Sequence, residues 1–192
     1  MESLQIPTRY WTRAEYDRLI EIGFFDDDER IELLGGQLVV REPQHTPHAT
    51  AVRLVDKALR RVFGAGWDVR AGLPVALDDE SEPEPDVCVV PGGPREYRDA
   101  HPSRPVLIVE VALSSLAIDR RIKSGLYARA RIADYWIVNL PERQVEVHRH
   151  PVADTDAPYG WRYADIAVHR AGEHVSPLAM PDAFVAVADL LP

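Results

Sequence analysis

A single cysteine, Cys88, is the only thiol in this 192-residue chain. That excludes an internal disulfide framework and any multi-cysteine metal cluster, and it fits a reducing compartment. Cys88 lies in a valine-rich run and reads as a core residue. No apolar stretch approaches the roughly 20 residues a membrane-spanning helix requires. Met1-Glu2-Ser3-Leu4 leads to Arg9, Tyr10 and Trp11 with no apolar signal core and no Arg/Ser-rich presequence, so a soluble, cytoplasmic protein with no membrane partner is expected. Linkers, repeats and low-complexity tracts are missing too, and the length suits one core, so a single domain over 1–192 is expected. The chain is also short of basic charge. Its 22 Lys and Arg against 31 Asp and Glu leave a net charge of −9, which weighs against a nucleic-acid backbone as partner. The shortage is uneven: over 116–131, Arg120, Arg121, Lys123, Arg129 and Arg131 oppose Asp119 alone, while acid gathers in Asp26-Asp27-Asp28-Glu29. A basic face can therefore exist on an acidic protein, and those arginines are weighed as a phosphate track against a solvated face.

What is present centres on Pro105-Val106-Leu107-Ile108-Val109-Glu110-Val111-Ala112, an apolar run that reads as a strand buried on both faces. Glu110 is the exception. A carboxylate in such a strand is costly to desolvate unless a cation, a donor or solvent at a cleft compensates it. Asp86-Val87-Cys88-Val89-Val90 reads as a second buried strand, and the Pro/Gly-rich stretch 91–105 suits a long-looped antiparallel connection between the two. If Val90 faces Val106, Asp86 faces Glu110 on the same side of the sheet. Opposed side chains have Cβ atoms roughly 5 Å apart, close enough for two carboxylates to hold one divalent cation.

The other elements follow in order. Thr12-Arg13-Ala14-Glu15 has capping-box spacing and opens a helix that Gly23 ends. The segment 31–40 reads as two strands about a Gly35-Gly36 turn, with Glu32 in the first. Thr46 before Pro47 predicts an N-cap and a helix, with His48 in its first turn, running through Val52, Val55, Leu59, Val62 and Phe63 to Gly64. Trp67 to Leu77 alternates as a strand. No Gly-x-Ser-x-Gly elbow exists, so Ser114 and Ser115 read as the start of a helix over 116–131 that buries Ile118, Ile122, Leu126 and Ala130, with Lys123 at the border. A buried strand at 135–138, a half-exposed one at 144–149 that turns His148 to solvent, its partner from Trp161, and C-terminal packing segments complete the pattern. The expected fold class is α/β, a mixed β-sheet flanked by helices.

A strand aspartate, a strand glutamate and a following helix lysine form the arrangement expected of metal-dependent phosphodiester hydrolysis. Hard oxygen ligands select Mg²⁺ or Mn²⁺, which neutralises phosphate and acidifies a bound water. Asp86 and Glu110 are then the metal ligands, and Lys123 orients the water or stabilises charge developing on phosphorus. The structural alternative is a capping Asp86, a Glu110 salted to an arginine, a solvated Lys123 and a His48 that is a local cap.

At these residues a resemblance emerges. Glu84-Pro85-Asp86 with Glu110-Val111-Ala112 resembles the PD-(D/E)xK nuclease motif, except that Ala112 stands where its lysine usually falls. More closely, the chain is similar to the Uma2 family of restriction-type endonucleases. The matches are Ile31-Glu32-Leu33-Leu34 with Gly36, His48, Ser81 to Asp86, Val109 to Ala112, Ser114 to Ala117, Asp119-Arg120 with Lys123, Leu126 to Ala130, Asp134 to Val138 and Ser176-Pro177-Leu178. The resemblance implies a restriction-endonuclease-like core, Asp86 and Glu110 as metal ligands, a catalytic lysine moved to the helix at Lys123, and an accessory acid at Glu32. It also implies a DNA substrate, with RNA cleavage and a homodimer left open. Gly35 and Gln37 stand where relatives often carry acids, Leu113 replaces another frequent acid, and Arg131 replaces a common glycine. The thinner acidic shell and the −9 charge motivate the competing expectation of a non-catalytic binding module on the same fold.

Overall fold

The computed structural model describes residues 8–26, 28–41 and 45–192; Asp27 of the acidic run and the residues before 8 lie outside them. Helix α1 (Arg13–Glu21) opens with the expected capping box: the Thr12 hydroxyl accepts from the Glu15 N–H at 3.3 Å, and the Glu15 carboxylate accepts from the Thr12 N–H at 3.0 Å. Strands β1 (Ile31–Leu34) and β2 (Gln37–Val40) form the expected hairpin about Gly35 and Gly36. Gly35 is required there, because its φ is +56° and a Cβ would overlap the Tyr159 ring. An acid at this position would collide with that ring.

Helix α2 (Thr46–Phe63) starts one residue earlier than its sequence suggests. The Ala49 N–H already reaches the His45 carbonyl at 3.0 Å, so His45, not Thr46, is the N-cap, and its side chain makes no cap bond. Strand β3 (Trp67–Ala71) also stops short of Leu77. Gly72, at φ +59°, turns the chain out of the sheet, and Val75 and Ala76 donate instead to the carbonyls of Pro83 and Pro102, both at 2.9 Å.

Five further strands complete a six-stranded sheet in the order β3-β4-β5-β6-β7-β8: β4 (Val87–Pro91), β5 (Leu107–Ala112), β6 (Asp134–Asn139), β7 (Gln144–Ala153) and β8 (Trp161–Arg170). Neighbours are antiparallel except β5 and β6, which are parallel and joined by a helical crossover, as parallel strands require. The crossover, α3, is helical over 116–129 and contains a π turn at Asp119–Lys123. Two short strands, β9 (His174–Val175) and β10 (Val185–Ala186), pair with each other.

Alternation along the strands divides the core between two faces. Val87, Val89, Val109, Val111 and Trp136 pack with Val55, Leu59 and Phe63 of α2 and with Val187 and Leu190. Cys88, Ile108, Tyr135 and Ile137 pack with Tyr127 and Ala128 of α3. Two expectations fail here, the second in part. The first half of β7 is not half-exposed: Gln144 to His148 are all buried, because β6 and β8 flank the strand and the rings of Tyr135 and Tyr163 enclose His148. In α3 the expected buried face is met only in part: Leu126 is buried, but Ile118 is 45% exposed while Asp119 and Lys123 face the sheet.

Candidate functional site

The β4–β5 ladder pairs Val89 with Leu107, Cys88 with Ile108 and Val87 with Val109. One further step sets Asp86 opposite Glu110, the register inferred from sequence. Each carboxylate accepts from the other strand's backbone: Glu110 Oε2 from the Asp86 N–H at 3.3 Å, and Asp86 Oδ2 from the Val111 N–H at 2.8 Å. Lys123 Nζ donates to Glu110 Oε1 at 2.9 Å and to Glu32 Oε1 at 3.4 Å. Asp86, Glu110, Lys123 and Glu32, named from sequence, therefore meet in one cluster, all nearly inaccessible to solvent.

Three segments deliver these groups. The loop before β4 runs beside the hairpin like an improvised strand, with the Glu82 N–H on the Leu33 carbonyl at 2.8 Å, the Gly36 N–H on the Glu80 carbonyl at 2.7 Å and the Glu84 N–H on Glu32 Oε1 at 2.8 Å. Pro83 and Pro85 keep this loop extended, since their fixed φ and missing N–H suit neither helix nor a central strand. Glu32 thereby ties the hairpin both to the loop that carries Asp86 and to Lys123. On α3, Asp119, Lys123 and Tyr127 recur at i, i+4 and i+8, the spacing of one helix face. That polar stripe lies on the sheet, and the Tyr127 hydroxyl donates to Glu110 Oε1 at 2.6 Å.

Arg41, Asp119 and Tyr127 are the members that sequence reasoning missed. The i, i+4, i+8 spacing about Lys123 was the available signal for the two on α3. Arg41, just past β2, had none: it reaches Asp86 Oδ1 at 3.2 Å, Glu84 at 3.1 Å and Glu32 at 3.5 Å. His48 joins from the first turn of α2, its Nε2 3.1 Å from Asp86 Oδ2. Asp119 accepts from the Ser115 hydroxyl at 2.6 Å. The basic segment proves largely committed elsewhere: Arg120 binds Glu146 at 2.7 Å and Arg129 binds Asp78 at 2.7 Å, so neither extends a phosphate track from Lys123.

The cluster floors a cleft of about 200 Å³, whose mouth is lined by Val39, Val40, Leu113 and Ile118. Burial raises the Glu110 carboxyl to about 7, with Lys123 opposing the shift and Asp86, Asp119 and Glu32 adding to it. Burial raises Asp119 as well. For Asp86 the same burial is outweighed by His48, Lys123 and the Val111 N–H, so it titrates below the ordinary range. Burial works against the Lys123 charge, yet Glu110, Glu32 and Asp119 hold it firmly protonated. Asp86 likewise overcomes burial to raise His48.

Among the described residues, no group of three or more His, Cys, Asp or Glu side chains is arranged to ligate a metal ion. The fit to a cation lies in the donor chemistry. Four nearly buried carboxylates, Glu32, Asp86, Glu110 and Asp119, share the cleft with the full cations Arg41 and Lys123, and the surplus of negative charge adds to the burial that raises Glu110. Carboxylate oxygens are the ligands Mg²⁺ and Mn²⁺ prefer.

A six-stranded mixed sheet flanked by helices, with an acidic cleft at the joint of an antiparallel pair and a βαβ crossover, defines a protein of the restriction-endonuclease-like fold. The chain belongs to the Uma2 family, described as "Putative restriction endonuclease", whose model matches residues 13–188. Among solved structures it is similar to a protein from Anabaena variabilis described as a "putative nuclease belonging to DUF820", with a TM-score of 0.65 at 13% identity over 90% of this chain and 96% of that one. No curated protein matches the chain.

Proposed function

We propose that this protein is a divalent-metal-dependent endonuclease that hydrolyses phosphodiester bonds in DNA. The observation that carries the reading is the opposed Asp86–Glu110 pair with the Lys123 ammonium 2.9 Å from Glu110, at the floor of an open cleft. Membership of Uma2, with its nuclease description, supports it. Asp86 and Glu110 would hold Mg²⁺ or Mn²⁺, which when bound neutralises phosphate charge and lowers the pKa of a water. Lys123, held protonated, donates and does not accept a proton: it orients the attacking water and stabilises negative charge growing on the phosphoryl oxygens. Glu32 positions Lys123. Tyr127 fixes the Glu110 rotamer, and Arg41 and His48 do the same for Asp86.

The test is cleavage of plasmid and single-stranded DNA, with RNA alongside, in Mg²⁺ or Mn²⁺. Asp86→Asn, Glu110→Gln and Lys123→Ala are expected to cut at least about 10²-fold more slowly than the natural protein, the scale of removing one charge-stabilising group. Equal cutting by the natural protein and Glu110→Gln, or no cutting of any polynucleotide, overturns the reading.

One observation favours a second reading, a non-catalytic binding module. Every oxygen of the Asp86–Glu110 pair already has a protein partner: Arg41, His48 and the Val111 N–H on Asp86, Lys123, Tyr127 and the Asp86 N–H on Glu110. Calorimetric titration with Mn²⁺ separates the two. A binding heat lost in Glu110→Gln supports the nuclease, and no heat from the natural protein supports the module.

A further inference from the structure

The mouth of the cleft is unlike its floor. Val40 is 66% exposed and Ile118 45% exposed, and both line the cleft beside the partly covered Val39 and Leu113. Ile118 is the more telling of the two. Its helical position predicts a place in the core, but the α3 face that carries Asp119 and Lys123 is the one turned to the sheet, which leaves Ile118 at the cleft mouth. An apolar wall next to a charged floor is the mark of a site that takes an amphipathic ligand.

We infer that the cleft takes single-stranded DNA, with one phosphate at the Asp86–Glu110–Lys123 floor and an unstacked base packed on the Val40–Ile118 wall. This assignment of substrate rests on the nuclease reading above and narrows it. In a duplex the base faces are covered by their own stack, so such a wall gains nothing from them; an unpaired strand offers a bare base face to every apolar surface it meets. Duplex binding draws instead on phosphate neutralisation along two backbones. Two basic side chains of the crossover helix are tied up, Arg120 on Glu142 and Glu146 and Arg129 on Asp78 and Glu80, on a chain of net charge −9. The cleft volume of about 200 Å³ also falls below the ~300–1,000 Å³ of pockets that enclose a drug-sized ligand, so the cleft engages part of an open strand and does not enclose a free small molecule.

Fluorescence anisotropy with a labelled single-stranded DNA 12-mer, the same sequence as a duplex, an abasic single strand of equal charge and an RNA single strand, all in Ca²⁺, tests the inference. The single strand should bind at least about tenfold more tightly than either the duplex or the abasic strand, since only an unpaired base can bury its face against the apolar wall at roughly 25 cal/mol per Å². Val40→Ser and Ile118→Ser should each weaken it about fivefold from lost apolar contact, while Ile166→Ser, on the exposed β8, should leave it unchanged. Duplex or abasic binding equal to that of the single strand, RNA bound more tightly than DNA, or wall variants that change only the oligomeric state in light scattering overturn it. Cleavage is scored separately. Single-strand binding with no cutting retires the nuclease reading alone, and efficient cutting of duplex with no single-strand preference retires this inference alone.

Discussion

Glu82 shows how burial alone sets the chemistry of a side chain in this fold. It is only 3% exposed, and among the described residues its Oε2 has no hydrogen-bond partner and the nearest cation, Arg13, stands 3.9 Å away. Burial raises its carboxyl to about 7, with Asp17 adding to the shift and Arg13 opposing it. A folded-state pKa above the unfolded value means that the folded protein holds the proton more tightly. Stability is then greatest below about pH 4.5, falls as pH rises through about 7 and stays low above that. Glu82→Gln removes this penalty. In urea unfolding it should match the natural protein at pH 4 and exceed it by ~1–3 kcal/mol at pH 8; a gain of the same size at both values would refute the account. Glu110 meets the same burial but differs in consequence, because Lys123 and Tyr127 both bind its Oε1. The need of Glu110 for a partner was legible from its apolar neighbours. Lys123 was legible beside it, and Tyr127 was not.

Helix α3 carries the site more than any other element. Its C-terminus closes in a Schellman arrangement: the Arg131 N–H reaches the Ala128 carbonyl at 2.9 Å and the Ile132 N–H reaches the Tyr127 carbonyl at 3.0 Å. Arg131 occupies the left-handed position at φ +59°, and its guanidinium lies 5.4 Å from the Trp161 ring. A glycine adopts that conformation without the cost a Cβ adds. Arg131→Gly is therefore expected to raise thermal stability by about 1 kcal/mol, and any destabilisation in a thermal melt would mean that the ring contact outweighs the backbone cost. The end of the helix and its lysine were readable in the sequence, as were the β1–β2 hairpin and the capping box of α1. The buried face of α3 was legible only at Leu126, because hydrophobic spacing also favoured Ile118 and Ile122, whereas the sheet receives Asp119 and Lys123, which find hydroxyl and carboxylate partners there. The same fault misjudged β7. Glu146 reads as a solvent-facing residue, yet Arg120 and Asn139 satisfy it inside the fold and hold its carboxyl below the ordinary range against the pull of burial.

The whole molecule is an acidic body, with a net charge of −9, whose proposed substrate is an anion. If the cleft alone engages the polynucleotide, its contacts are limited to Arg41, His45 and His48 beside the committed Lys123. The logarithm of affinity should then fall with that of salt at a slope no steeper than about −2, following the −0.7 per phosphate of single strands. A slope of −5 or beyond, measured by anisotropy between 50 and 200 mM salt, would place the strand on a basic surface elsewhere. By itself the sequence determined the central strands β4, β5 and β6, the antiparallel register that sets Asp86 against Glu110, and the kind of chemistry that two carboxylates and a lysine support, because these follow from local periodicity and from the fixed two-residue repeat of a strand. Only the tertiary structure decided that Arg41 and His48 converge on Asp86, that Glu32 bridges the hairpin to Lys123, that Arg120 and Arg129 are withdrawn from the cleft, and that Ile118 stands at its mouth. Those contacts join residues from different elements far apart in the chain, and their partners are selected by burial and charge in three dimensions, which no local pattern encodes.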